Sequence, residues 1–97
     1  MIRFEFDPIK SEKNRLKHGI DFVAGQQIWT DQDRIERTVP SLTESRVQVL
    51  GHAAGNLWSA IITYRGETIR VISIRRARRD ERQHYEKEKQ EEGGTHG

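Results

Sequence analysis

ETIRVISIRRARRDERQHYEKE, residues 67–88, changes character halfway along. Its first part carries Ile69, Val71, Ile72 and Ile74, β-branched residues that suit a pleated, half-buried surface, and predicts a strand. Its second part, Ala77 to Glu88, has no Gly, Pro or β-branched residue and is rich in Arg, Glu and Lys, which predicts a helix. Between them stand Arg75, Arg76, Arg78 and Arg79. A strand that buries its apolar residues and then releases four arginines sets cationic forks at the rim of a core. Planar guanidinium groups there suit phosphate. A merely solvated helix start accounts for them equally well.

Upstream, Arg46–Gly51 alternates, and Leu57–Tyr64 is almost continuously apolar, as a central strand would be. Gly55-Asn56 and Arg65-Gly66 are turn signals, so the three strands are expected to form an antiparallel meander. Ile61, Ile62, Ile69, Val71 and Ile72 are its expected buried centre. Thr30–Glu44, with Pro40, reads as a loop holding a short edge strand at Arg37–Val39.

At the start of the chain, Ile2, Phe4 and Phe6 alternate with charged residues and predict a short strand. Asp7-Pro8 then opens a helix: Asp accepts a hydrogen bond from the backbone of Lys10, and Pro loses a donor that had no partner. Gly19 closes it. Ile9, Leu16 and Ile20 are expected on its core side, and Asn14, Lys17 and His18 share one face at spacings of three and four. A cation and a histidine in a last turn also simply offset the helix macrodipole. Asp21 looks like the cap of a second, shorter helix burying Phe22, Val23, Ile28 and Trp29. Gly25 within it implies a close neighbour. The order β-α-α-β-β-β-α defines an α+β fold, a twisted antiparallel sheet packed with helices. A single domain is expected over residues 1–90, with 91–97 a disordered tail.

Composition narrows the function. The 97 residues are 33% hydrophobic and 33% charged, with net charge +2 and pI near 9.2. The balance is only mildly basic, but six arginines between Arg70 and Arg82 face just Asp80 and Glu81. Such a local patch is a better nucleic-acid signal than the total. There is no cysteine, so disulfides and thiolate metal sites are excluded. No run of residues is apolar enough for a membrane span or a signal peptide, and a soluble cytoplasmic protein is expected. The sequence has no HExxH, no phosphate-cradling glycine loop and only scattered histidines, so no metal or cofactor is expected. Ser73 has no evident triad. What remains is Lys17, His18, Arg75, Arg76 and Tyr85. These are the residue types that bind a phosphodiester, or cleave RNA without metal by moving the 2′-OH proton and stabilising charge on phosphorus. A basic module that binds nucleic acid without cutting it, and a positive face that only docks an acidic partner, fit the same residues.

Two stretches carry a resemblance. FEFDPIKSEKNRLKHGIDF (4–22) resembles the opening signature of the BrnT family of type II toxins, and IRVISIRRARRDERQHYE (69–86) resembles its second. GHAAGNLWSAIITYRGETIR (51–70) lies between them, so the likeness spans nearly the whole chain. The resemblance implies a RelE-like fold and RNA cleavage that inhibits translation and growth. It also implies neutralisation by a BrnA-like ribbon-helix-helix antitoxin, through which alone the toxin would meet operator DNA; the toxin by itself is expected to be a monomer. The matching positions include Asp7, Lys10, Asn14, Lys17, His18, Gly19, Arg70, Ser73, Arg75, Glu81, Arg82 and Tyr85. Among these, and with Arg76 added from the basic patch, the expected catalytic residues are Lys17, His18, Arg75 and Tyr85. The expected RNA contacts are Asn14, Arg70, Ser73, Arg76 and Arg82. Three positions depart from the family pattern. Ile74 replaces an Ala, Asp80 puts an acid where a base is common, and Arg78 replaces a Thr or Ser that would complete a capping box with Glu81.

Overall fold

The structure is a computed structural model that describes residues 2–94. Its elements are β1 (Arg3–Glu5), α1 (Pro8–His18), a 3₁₀ helix (Ala24–Thr30), β2 (Ile35–Val39), β3 (Arg46–Ala53), β4 (Asn56–Arg65), β5 (Thr68–Arg76) and α2 (Arg79–Gly94). One five-stranded sheet, in the order β1-β5-β4-β3-β2, packs against the helices. The expected α+β class holds, with three refinements. β1 pairs in parallel with β5, the second short helix is 3₁₀, and the edge strand is five residues long. The β3-β4-β5 meander is antiparallel as expected. The last turn of α2 covers the first residues of the stretch expected as a tail, and 95–97 lie outside the described residues.

Period-two alternation sends the strand residues to two cores. On one face Ile20, Phe22, Ile28 and Trp29 pack on Val49, Ala60, Ile62, Val71 and Ile74. On the other, Leu50 and Leu57 meet Tyr85 of α2, with Ile35 and Ala77 alongside. Each fully buried aliphatic side chain contributes about 1.5–3 kcal/mol. Gly25 is where the first core is tightest, because a Cβ there would lie 2.2 Å from Ile74 Cδ1. The close neighbour expected for Gly25 is therefore Ile74.

Asp7 caps α1 by accepting from Ile9 N at 2.8 Å, one residue earlier than expected, and Gly19 closes the helix at φ 84°. The side of α1 that faces inward differs from expectation. Ile9 and Leu16 are exposed, while Ser11 and Asn14 are buried. Ser11 Oγ accepts from Phe22 N at 2.9 Å. The Asn14 amide donates to Ile20 O and Ile74 O, both at 2.8 Å, and accepts from Ile74 N at 3.2 Å. The physical reason lies in where α1 sits. β1 pairs only with Thr68–Arg70, so β5 has an open edge further along. Asn14 covers that edge at Ile74, bonding both backbone groups as a neighbouring strand would. A helix docked on a strand edge needs hydrogen bonds inward, not leucines.

Val23 is also exposed, although Phe22, Ile28 and Trp29 are buried as expected; Asp21 Oδ1 caps this segment through Val23 N and Ala24 N. In the meander Ile62, Ile69 and Val71 are buried, but Ile61 and Ile72 are only half-buried. The ladder slips here: Ile61 faces Ser73 and Ile62 faces Val71, leaving Ile72 as the extra residue of a bulge. Ile74, fully buried, takes the central place expected of Ile72.

Candidate functional site

The bulge and the inward-facing Asn14 together shape an open groove of about 350 Å³ between α1 and the edge of β5. Lys10, Lys13, Asn14, Lys17 and His18 line one side, Ile72 and Ser73 the other, with Phe22 also contributing. No carboxylate lines it. Among the described residues none lies within ion-pairing distance of Lys10, Lys13 or Lys17, whereas Arg15 on the same helix is paired with Glu12. Three ammonium groups and an imidazole are thus concentrated on one wall with nothing to neutralise them.

The strand register carries Arg70 and Arg75 to the sheet face opposite α1, with Thr63 facing Arg70 and Ser59 facing Arg75, while Ser73, beside the bulge, reaches the groove at the strand edge. The same face carries Arg37 and Gln48. Here the cations are held. Arg75 makes a bidentate pair with Glu81, Nη1 to Oε1 at 2.8 Å and Nη2 to Oε2 at 2.9 Å. Glu81 also accepts from Gln48 Nε2 at 2.6 Å and from Arg78 N at 2.8 Å. Arg37 Nε donates to Gln48 Oε1, and Gln48 Nε2 also reaches Ser59 Oγ at 2.8 Å. The Arg75 guanidinium beside it holds the Glu81 carboxyl at about 2 against the opposing effect of burial, helped by Arg78 N–H and Gln48. Glu81 thereby supplies half of the capping box that Arg78 cannot complete, and α2 starts at Arg79.

Tyr85 is buried one helical turn beyond Glu81. Its hydroxyl donates to Asp31 Oδ2 at 2.7 Å and stands 3.2 Å from His52 Nδ1. Asp31 also accepts from the backbone N–H of His52 and of Asp33. Burial raises the Asp31 carboxyl, but these N–H donors and the Tyr85 hydroxyl outweigh it and leave it below its ordinary range. Burial and the Asp31 carboxylate drive the Tyr85 phenol up.

The expected site residues therefore divide. Asn14, Lys17, His18 and Ser73 come together at the groove. Arg70 and Arg75 lie around the strand edge from it, with Arg70 3.8 Å from Glu5. Arg76 stacks over the Trp58 ring at 5.6 Å, and Arg82 is exposed on α2. Tyr85 is not at the groove; its polar end is enclosed by Asp31 and His52. Asn14 is buried and fully engaged with backbone, so it shapes the wall rather than offering a free contact. Lys10 and Lys13 line the groove but were not among the expected site residues, although their i, i+3 and i, i+7 spacing with Lys17 was visible in the sequence. Among the described residues no group of His, Asp and Glu is arranged to hold a metal ion, and no helix is long and apolar enough to cross a membrane.

The groove presents three lysines and a histidine with no carboxylate among its lining residues, a surface that would attract anions. Over residues 6–81 the chain matches the family model for the ribonuclease toxin BrnT of type II toxin-antitoxin systems, and it belongs to that family. The family implies a ribonuclease toxin with a protein antitoxin as its partner. No curated protein matches the chain.

Proposed function

We propose that this chain cleaves RNA at the groove between α1 and β5, using protein groups alone. The observation that carries this reading is the wall of Lys10, Lys13, Lys17 and His18 with no facing carboxylate. In this reaction His18 takes the proton of the 2′-hydroxyl, whose oxygen attacks phosphorus. The lysines offset the charge gathering on the phosphoryl oxygens, and the Lys17 ammonium returns a proton to the departing 5′-oxygen. The products are a 2′,3′-cyclic phosphate and a 5′-hydroxyl end. Arg70 and Arg75 extend the cationic track around the strand edge, Arg75 being aimed by Glu81. Ser73 sits at the junction. Arg76 and Arg82 supply outer phosphate contacts, and Tyr85 acts by holding α2.

Family membership supports the wider setting. The toxin works in the cytoplasm as a monomer, arrests translation and growth, and is neutralised by a BrnA-like ribbon-helix-helix antitoxin that alone contacts operator DNA. Purified protein incubated with RNA and a chelator should yield cut products, and His18→Ala should lower the rate about 10²–10⁴-fold without shifting Tm. Binding without cleavage would reduce the protein to a basic nucleic-acid module. A wild-type rate in folded His18→Ala would remove His18 from the mechanism.

A further inference from the structure

Because Ser11 and Asn14 fill the inward side of α1, its two large apolar residues face outward. Ile9 is 67% and Leu16 72% exposed. Seven residues apart, they stand on one stripe roughly 10 Å long. One flank of that stripe carries Lys13, Lys10 and Lys17, the groove lysines, with no ion-pair partner among the described residues. On the other flank Glu12 is already paired with Arg15, so the stripe has no free negative edge. An apolar ridge with a positive border on one side has a definite complement, an amphipathic segment with carboxylates along one border.

We infer that the outer face of α1 is the docking strip for an acidic amphipathic segment of the protein antitoxin. Its apolar residues cover Ile9 and Leu16, and its carboxylates lie on Lys13 and Lys17. The family supplies the partner, and the lysines bordering the stripe set its chemistry. The inference rests on the reading of the groove as the RNA site, because the segment would then neutralise the toxin by occupying the same ammonium groups. Antitoxin and RNA would be mutually exclusive ligands.

The test uses the whole toxin and its cognate antitoxin, each purified and mixed. The double variant Ile9→Ser/Leu16→Ser alters neither core nor groove, so it should keep wild-type Tm and RNA cleavage. Its affinity for the antitoxin should fall at least about tenfold, as for loss of central anchors. Lys13→Glu should weaken the complex as well, with the loss shrinking as salt is raised. Wild-type antitoxin affinity in the folded double variant overturns the inference. So does a homodimer of the free toxin that the double variant breaks, since the stripe would then belong to a second copy. If the toxin cuts no RNA at all yet the double variant still loses the antitoxin, the docking strip stands and the catalytic reading fails.

Discussion

Two cationic regions of this molecule put basic side chains to opposite ends. On the flank of α1, Lys10, Lys13 and Lys17 face an open groove with no carboxylate on its walls. Beneath α2, Arg75 and Arg37 are tied into a continuous chain through Glu81 and Gln48. Beyond the change from ammonium to guanidinium, the difference lies in what stands opposite the cations. One buried acid and one buried amide convert arginines into a fastening for a helix, and their absence leaves lysines available to a ligand. Mutations should therefore separate, with stability lost mainly on the α2 side and ligand binding lost mainly on the α1 side.

Glu81→Ala should show the largest effect. It strands the Arg75 guanidinium and the Gln48 amide in a site only partly open to water, and it removes the acceptor for Arg78 N. Breaking such a pair typically costs about 3–5 kcal/mol. The same contact has a pH signature of definite sign. The folded-state value near 2 lies below the ordinary 4.5, so the stabilisation is present above about 4.5 and is lost as pH falls toward 2. Its full size is at most about 3 kcal/mol, reduced by the partial exposure of Arg75. Denaturant midpoints measured between pH 6 and pH 2 should converge for wild type and Glu81→Ala at the acid end. Parallel curves would mean that Glu81 is not the fastening.

Arg75→Ala comes next, at about 2–3 kcal/mol, because the buried carboxylate it leaves keeps two other donors. This reverses what the sequence alone suggested. Read along the chain, Arg75 is a strand-end cation with no assigned partner, a candidate for catalysis and not for stability. In the fold, its partner Glu81 arrives with the docking of α2 onto β3 and β5. An unchanged Tm for Arg75→Ala would restore the simpler picture of a free catalytic cation.

Much of the architecture was legible because it depends on local chemistry. Asp7-Pro8 and Gly19 bracket α1, β-branched runs mark β4 and β5, and Gly25 announces a close approach. What stayed hidden depends on residues far apart. The Gln48–Glu81 bond spans 33 positions and the Asp31–Tyr85 bond 54, and neither pair has a spacing signature. The bulge at Ile72 is likewise set by how two ladders meet, which exchanged the places of Ile72 and Ile74. Ile9 and Leu16 misled for a different reason: apolar periodicity assumes a helix lying on a sheet face, and α1 lies over an edge. The groove was half legible. Lys17 and His18 stood out beside Asn14, but only the inward rotation of Asn14 shows that Lys10 and Lys13 join them.

Tyr85→Phe should have a smaller effect, about 1–2 kcal/mol. The ring keeps its packing on Leu50 and Leu57, while Asp31 loses one hydroxyl donor and retains its two backbone donors. RNA cleavage at a temperature where the variant is folded should stay near wild type. A rate loss of a hundredfold there would return Tyr85 to the reaction.

The smallest stability change belongs to the other region. Lys13→Ala removes an exposed side chain with no ion-pair partner among the described residues, and Ala suits a helix interior, so stability should move by less than about 0.5 kcal/mol. Binding should respond instead. If Lys13 neutralises one phosphate of a single-stranded RNA, its loss should reduce the slope of log K against log salt by about 0.7. Lys10→Ala and Lys17→Ala should each do the same, and the three losses should add while the groove binds one continuous strand. Arg79→Ala, exposed at the start of α2 and away from the groove walls, should leave that slope unchanged. Equal slopes for Lys13→Ala and wild type, measured from 50 to 300 mM salt with a non-cleavable RNA, would show that the groove wall does not carry the phosphate chain.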